Sequence, residues 1–302
     1  MSIPMIIDTD PGIDDAQAIS IALNHPELDV KMISTVYGNV SIQNTTANAL
    51  KLKGFFKSDV PVHRGSSHPY LSTLIDAQDV HGASGMDGHE FEEVDQNDLA
   101  SQNSILAMYE TIKAHEDPIT IIAIGPLTNI ALLLQTFGDI SDHIKEIILM
   151  GGSIVGGNVT PYAEFNIYSD PEASQIVFKS GLPITMVGLD VAYNSMLNQE
   201  DLKELQRMGK TGEMLFNLLS RYRSDDFDKG VKIYDVYTLI YLLHPELFEV
   251  AEAYIEVEYR DETYKGQTFV DEKSKYPNAT VVKDIDKEAF KSHFFKALSH
   301  CP

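Results

Sequence analysis

Short apolar runs alternate with stretches of 3.6-residue periodicity through the first 190 residues. Strands are expected at residues 5–8, 30–36, 60–63, 120–124, 146–150 and 184–188. Helical spacing fills most of the intervals, at 14–23, 43–55, 103–115, 129–137 and 171–179. A strand can pair parallel with its successor only through a crossover long enough to hold a helix, and such crossovers are right-handed. The repetition therefore predicts an α/β protein: an open, mainly parallel, doubly wound sheet with helices on both faces.

Beyond Asp190 the rhythm changes. Residues 198–208, 212–223 and 235–243 carry helical patterns and predict a C-terminal helical region. Residues 253–259 and 263–270 alternate as strands around the polar turn Arg260–Glu262, which predicts a small β-hairpin. A last strand at 279–283 and a last helix at 287–298 follow. No Gly/Ser-rich linker, low-complexity run or internal repeat separates these parts, so one α/β domain over residues 1–302 is expected.

The polar residues sharpen this picture. Open parallel sheets bind ligands outside the carboxyl ends of their strands, and here those ends are polar or glycine-rich one after another. The first expected strand runs into Asp8-Thr9-Asp10-Pro11-Gly12-Ile13-Asp14-Asp15, the second into Tyr37-Gly38-Asn39. The fourth runs into Ile124-Gly125-Pro126-Leu127-Thr128-Asn129, the fifth into Met150-Gly151-Gly152, and the sixth ends at Leu189-Asp190.

Four aspartates within eight residues, Asp8 to Asp15, repel one another and need a cation or protons to be tolerated. Pro11-Gly12 turns the chain so that Asp10 comes near Asp14 and Asp15 on a first helical turn. Adjacent helical residues point about 100° apart, so Asp14 and Asp15 are expected to divide the work, one facing a metal and the other a ligand beside it. Oxygen donors without His or Cys select Ca²⁺ or Mg²⁺ over zinc. Taken singly, each feature has a plainer explanation: an Asp after a strand is most often a helix cap, and His81 is an ordinary loop histidine. Tyr234 and Tyr237 flank Asp235 as core aromatics would. The spacing of the aspartates argues for the functional reading.

Composition narrows the partners. Acidic residues outnumber basic ones 45 to 23, giving a formal charge of −22 over 302 residues. A field of that sign repels phosphate backbones and anionic lipids, so neither nucleic acid nor a membrane is an expected partner. The one cysteine, Cys301, has no intrachain partner, and no secretion-signal pattern is present, so a cytoplasmic location is expected. There is no G-x-S-x-G elbow, Walker A loop, G-x-G-x-x-G or H-E-x-x-H. An aspartyl-phosphate phosphatase, which also carries two aspartates after a first strand, would leave Asp14, Asp15 and the Asn158–Asn166 stretch without a purpose.

The run Asp8-Thr9-Asp10-Pro11-Gly12-Ile13-Asp14-Asp15-Ala16 resembles the N-terminal signature of the inosine–uridine-preferring nucleoside hydrolases. Gly125–Asn129, Met150-Gly151-Gly152, the run Gly157–Asn166 and Asp170-Pro171-Glu172-Ala173 follow in the family's order, so that the resemblance covers roughly residues 5–247. It implies hydrolysis of the N-glycosidic bond of ribonucleosides to ribose and free base, one Ca²⁺ per chain, and a homodimer or homotetramer. The metal ligands it implies are Asp10, Asp15, Asp235 and the backbone carbonyl of Ile124. The ribose would be held by Asp14, Asn39, Asn158, Glu164 and Asn166, with Met150 lining the sugar site and His81 near the base.

The implied chemistry is physically coherent. Breaking the bond at C1′ builds oxocarbenium charge that surrounding carboxylates stabilise. Asp10, next to a water held by the ion, is the candidate base. Many family members place a His just before the last metal-binding Asp and credit it with protonating the departing base; here that residue is Tyr234. A phenol, with a pKa near 10, is a weaker acid, which leaves Tyr234, His81 and Tyr222 as candidates for the task. Residues 221–232, where relatives contact the base, diverge, so purine or pyrimidine preference is open. Two alternatives follow: a hydrolase of another ribosyl compound with an altered leaving-group pocket, or a Ca²⁺-dependent ribosyl-binding module with little turnover.

Overall fold

A computed structural model describes residues 2–222 and 230–302. Ten strands form one sheet in the order β4-β3-β2-β1-β5-β6-β7-β10-β8-β9. These are β1 (Ile3–Thr9), β2 (Leu28–Thr35), β3 (Val62–Arg64), β4 (Leu99–Ser101), β5 (Ile119–Ala123), β6 (Ile144–Met150), β7 (Ile184–Val187), β8 (Phe248–Val257), β9 (Thr268–Asp271) and β10 (Ala279–Ile285). Every pairing from β4 across to β10 is parallel; β8 and β9 add an antiparallel edge. The chain walks outward from β1 through β4, then returns to the other side of β1 with β5. The point where the order reverses lies between β1 and β5, and a crevice opens there at the strands' carboxyl ends.

Helices cover both faces, as the alternation predicted. Along β1, Met5 and Ile7 join the apolar layer beneath α1 (Asp15–Asn24), α10 (Gly209–Arg221), α11 (Val236–Leu243) and α12 (Lys287–Leu298), whereas Ile6 faces the opposite layer. That second layer holds α4 (Ser104–Ala114), α5 (Thr128–Thr136) and α7 (Pro171–Phe178). The period of two is the signature of a strand buried on both sides. The remaining helices are α2 (Ile42–Phe56), α3 (Gln78–His81), α6 (Phe165–Ser169), α8 (Leu189–Asn194) and α9 (Gln199–Gln206).

Several helix starts are fixed by side-chain caps. Asn103 accepts from Leu106 N–H at α4, Asp170 from Ala173 N–H at α7, and Asp286 from Ala289 N–H at α12. Asn198 and Asp201 form a reciprocal capping box at α9. Each cap satisfies a donor that the helix itself leaves open.

The structure departs from the sequence expectation mainly at the C-terminal edge. The hairpin exists, but β8 begins at Phe248 and ends at Val257, and β9 starts only at Thr268. Glu258 N–H still donates across to the Gln267 carbonyl, and beyond that contact the chain closes on itself. Glu258 accepts from the N–H groups of Arg260 and Asp261, and Gly266, at φ +77°, donates to the Glu258 carbonyl. The strand expected at 279–283 lies inside the sheet, between β7 and β8. Three short helices (α3, α6 and α8) and the three-residue strand β4 were not expected; segments that short carry no readable period. The helix expected over 212–223 starts earlier, at Gly209, and its last expected residue lies outside the described residues. Among the described residues, no helix is long and apolar enough to cross a membrane.

Candidate active site

A cavity of about 220 Å³ opens at the switch point. Its floor and walls include Asp14 at the start of α1, Asn39 from the loop after β2, Ile124 just past β5, Met150 at the end of β6, and Tyr234 and Asp235 before α11. The loop entering α6 adds Asn158, Glu164 and Asn166; α3 brings His81, and the end of α10 brings Tyr222. Elements far apart in sequence thus place most of the expected residues on one cavity.

Asp10 and Asp15 lie buried beside it. Asp15 accepts from the Thr9 hydroxyl at 2.6 Å and from Gly12 N–H at 2.9 Å, which turns its carboxylate back across the Pro11-Gly12 turn. One carboxylate oxygen each from Asp14, Asp15 and Asp235 falls within 4.8 Å of the others. The carboxylates of Asp14 and Asp15, expected to divide the work between an ion and a ligand beside it, thus lie close to each other and to that of Asp235. Asp14 sits just before α1, in the cap position rather than on the helix.

Asp10 is held from several sides. Its Oδ2 accepts from Asn39 N–H at 2.6 Å, and the Asn39 side-chain amide donates to the Asp10 carbonyl and to Asp15 Oδ2 at 3.1 and 3.0 Å. The other carboxylate oxygen, Oδ1, is buried and has no hydrogen-bond partner among the described residues. Gly38 and Gly125 make the close approach feasible. A Cβ on Gly38 would lie 2.0 Å from Asp10 Oδ2, and one on Gly125 would lie 2.7 Å from Oδ1.

Burial and mutual repulsion raise the carboxyl pKa values here. Burial, then the charges of Asp15 and Asp14, pushes Asp10 well above the usual carboxylate range. Burial, then Asp14, Asp15 and Asp10, does the same to Asp235. Asp15 rises to about 6 and Glu164 to about 7, burial being the first cause in each. An oxygen-only donor set, an unpartnered buried carboxylate oxygen and acids that resist ionising together fit a hard cation. The buried cluster can bind a metal.

The fourth aspartate of the N-terminal run does not join them. Asp8 accepts from the Ser34 hydroxyl and from the Asn129 amide, on the sheet face that carries α5. It lines no part of the cavity, and burial lifts its pKa to about 7.

On the far wall, Glu164 is the N-cap of α6. It accepts from the N–H groups of Asn166, Ile167 and Gly152 at 2.9, 3.1 and 3.0 Å. The Gly151-Gly152 pair therefore does more than turn the chain: Gly152, at φ +71°, aims its N–H at that carboxylate. The Asn166 amide donates to the carbonyls of Ile124 and Met150 at 3.2 and 3.1 Å. Asn158 Oδ1 accepts from Phe165 N–H, which ties the loop across its base. His81 Nδ1 accepts from Ile13 N–H at 3.1 Å and lies 3.9 Å from Asp14 Oδ1. With Nδ1 accepting, the neutral ring carries its proton on Nε2. Its ring stands 5.2 Å from that of Tyr222.

Sequence reasoning missed Asp76, Ala77, Asp79 and Val80, which wall the cavity on the approach to His81, together with Val159 and Phe165. Proximity to His81 and to Asn158–Asn166 was the only available signal. It also missed the role of Asp190, which accepts from the N–H groups of Ile154 and Val155 and so fixes the loop that carries Asn158. Most of the divergent stretch 221–232 lies outside the described residues.

Together these features define a class: a doubly wound α/β protein whose switch-point cavity sets amides and carboxylates around an acidic floor. Residues 5–292 match the family described as inosine-uridine preferring nucleoside hydrolase, and the chain belongs to that family of N-glycosidases. It is 42% identical over 304 residues to the non-specific ribonucleoside hydrolase RihC of Salmonella paratyphi C, covering 100% of this chain and 99% of that protein. Among solved structures it is similar to a purine-preferring ribonucleoside hydrolase from Gardnerella vaginalis, with a TM-score of 0.90 at 28% identity over 98% of each chain. The plant nucleoside hydrolase PpNRh1 gives a TM-score of 0.90 at 32% identity over 99% of each chain.

Proposed function

We propose that this ribonucleoside hydrolase is Ca²⁺-dependent and that Asp10 is the base that activates the attacking water. The observation that carries this reading is the buried, unpartnered Oδ1 of Asp10 beside the Asp14–Asp15–Asp235 cluster. Asp10, Asp15, Asp235 and the Ile124 carbonyl would hold the ion, which supplies positive charge and a fixed point for the sugar diol. Asp14, Asn39, Asn158, Glu164 and Asn166 bind the ribose, and Met150 packs against it.

The chain's own groups then account for the chemistry. Asp10 takes a proton from water as the oxygen bonds to C1′. Positive charge developing on the ribose faces Glu164 and Asp14, whose carboxylates stabilise it more than they stabilise the neutral ground state. The C1′–N bond breaks toward the base, where the candidate proton donors are Tyr234, His81 through Nε2–H, and Tyr222. A broad range of bases is in keeping with the relatives named non-specific. Reducing-sugar release from inosine, uridine, cytidine and adenosine tests the reading. Release is expected from at least one of them, whereas binding of ribosides without product on any of the four would turn the account toward a binding module.

A stability measurement tests the ion. Asp8, Asp15 and Glu164 have folded-state pKa values of about 7, 6 and 7, above their ordinary values. Between about pH 4 and pH 7 the folded chain then holds more protons than the unfolded one, so metal-free stability falls as pH rises through that window. A bound cation replaces the protons of the carboxyls that face it, Asp15 among them, while Asp8, outside the cavity, keeps its own response to pH. Thermal melts with chelator or with excess Ca²⁺ should show an ion-induced rise of several degrees at about pH 8 and a much smaller one at about pH 5. An equal rise at both would separate the ion from these carboxyls.

A further inference from the structure

We propose that Asn48 is a positioning residue: through its side-chain amide, α2 holds the loop that carries His81 against the turn that carries Asp10, Asp14 and Asp15. The proposal rests on the reading of the cavity as the ribonucleoside site, and it adds the element that sets where His81 stands in it.

The first observation is a polar residue in an apolar place. Asn48 lies in the middle of α2 and is fully buried, where Ala or Leu would favour the helix and pack without penalty. A buried amide is tolerated when its hydrogen bonds are made. Both donor bonds of Asn48 lead out of the helix. Its Nδ2 donates to the Pro11 carbonyl at 2.9 Å and to the Ser84 carbonyl at 2.7 Å, while its Oδ1 accepts from Lys51 Nζ at 3.3 Å. Asn44 stands four residues earlier, on the same face of α2, and donates to the Ala83 carbonyl at 3.1 Å. One helix face thus grips two consecutive loop carbonyls, and one of its amides also holds the Pro11-Gly12 turn.

The loop is shaped for this grip. Gly82 and Gly85 bracket it at φ +84° and +88°, where glycine alone is unstrained. Asp87 closes it from within by accepting from Ala83 and Ser84 N–H at 3.1 and 3.3 Å. A Cβ on Gly85 would lie 2.9 Å from Asn48 Nδ2 and 2.8 Å from Val40 Cγ2, so the missing side chain lets the two meet.

His81 sits at the other end of the same junction. Its Nδ1 accepts from Ile13 N–H at 3.1 Å, and a Cβ on Gly12 would lie 2.6 Å from that nitrogen. The turn therefore meets the loop twice, directly at His81 and through Asn48 at Ser84. The turn also has bonds of its own, from Thr9, Gly12 and Asn39 to Asp15 and Asp10. Ala83 and Ser84 are tied to the body of the protein through α2. Loss of Asn48 accordingly loosens the loop more than the turn, and its effect falls on His81.

The test is a double-mutant cycle of Asn48→Ala and His81→Ala, read as kcat and KM on a nucleoside that the parent cleaves. Asn48→Ala alone should lower kcat/KM about tenfold, less than the ~10²-fold that a shift of about 1 Å costs. In the His81→Ala background the same change should cost less than about threefold. A purely structural role, or one exerted on the Asp10 turn, would persist there. Additive losses therefore overturn the proposal, as does a His81→Ala enzyme with parental turnover. Asn44→Ala, at the less buried end of the clamp, should show the same pattern at severalfold, and it carries the cycle if Asn48→Ala does not fold. A second readout needs no turnover. In histidine-labelled protein at about pH 8, where imidazole is neutral, the ring signals of His81 are assigned by their loss in His81→Ala. They should report the Nε2–H tautomer in the parent and a mixture of tautomers in the Asn48→Ala or Asn44→Ala variant. An unchanged tautomer overturns the proposal. A parent that cleaves no nucleoside, with the tautomer shifting as expected, overturns the hydrolase reading and leaves the tie between loop and turn standing.

Discussion

Asp10→Ala is expected to lower kcat on uridine by about three to four orders of magnitude, the upper range for loss of a general base. The expectation follows from how the residue is held. One carboxylate oxygen is fixed by Asn39 N–H while the other is buried and, among the described residues, has no hydrogen-bond partner, and the group feels the charges of Asp15 and Asp14. kcat and kcat/KM should fall together, because the group acts in the transition state more than in ground-state binding. Stability should behave oppositely. Asp10 is a buried acid repelled by Asp15 and Asp14, so the metal-free variant should melt no lower than the parent. Activity lost from a chain that folds at least as well separates a chemical role from a structural one. Turnover within tenfold of the parent would remove Asp10 as the base.

The second large effect is expected from a residue with no side chain. Gly38→Ala would put a Cβ 2.0 Å from Asp10 Oδ2 and 2.8 Å from its Cγ, and 3.0 Å from Pro126 Cδ. The carboxylate must swing away from Asn39 N–H or the loop must shift. Overpacking of this kind costs about 1–3 kcal/mol. Displacing a catalytic group by about 1 Å costs on the order of 10²-fold in rate. A kcat at least 100-fold lower, with a lower Tm, is therefore expected. Gly54→Ala is the control. It lies in α2, a Cβ there meets nothing within 4 Å, and helix propensity alone should leave activity unchanged and raise stability by up to about 1 kcal/mol. Equal behaviour of the two variants would refute the role of the Gly38 approach.

The centre of the sheet was legible because its strands are buried on both faces and separated by helices of readable period. Ile119–Ala123 and Ile144–Met150 are apolar almost throughout, and only a strand covered on both sides reads that way. The C-terminal edge was less legible. There β8 has one exposed face and the residues after it hydrogen-bond locally, so alternation continues past the point where pairing stops. At the site, spacing within one turn located Asp10, Asp14 and Asp15, and the family resemblance brought in Asp235, Asn39 and Glu164 from distant segments. Periodicity could not tell that Asp8 turns to Ser34 and Asn129, nor that Asp14 joins Asp15 and Asp235. Both depend on the directions that side chains take at the end of a strand. Asp76 and Asp79 escaped notice because isolated carboxylates in a polar loop look like solvated surface.

The central claim is that turnover requires a hard divalent ion among Asp10, Asp15 and Asp235. Its most direct test titrates Ca²⁺ into chelator-treated protein while recording, on the same samples, ion binding by calorimetry and ribose release from a nucleoside the enzyme cleaves. Activity should be absent at the start and should rise in step with the filling of a single site. Full activity in the chelated protein, or binding that saturates without any gain in ribose release, would contradict the account.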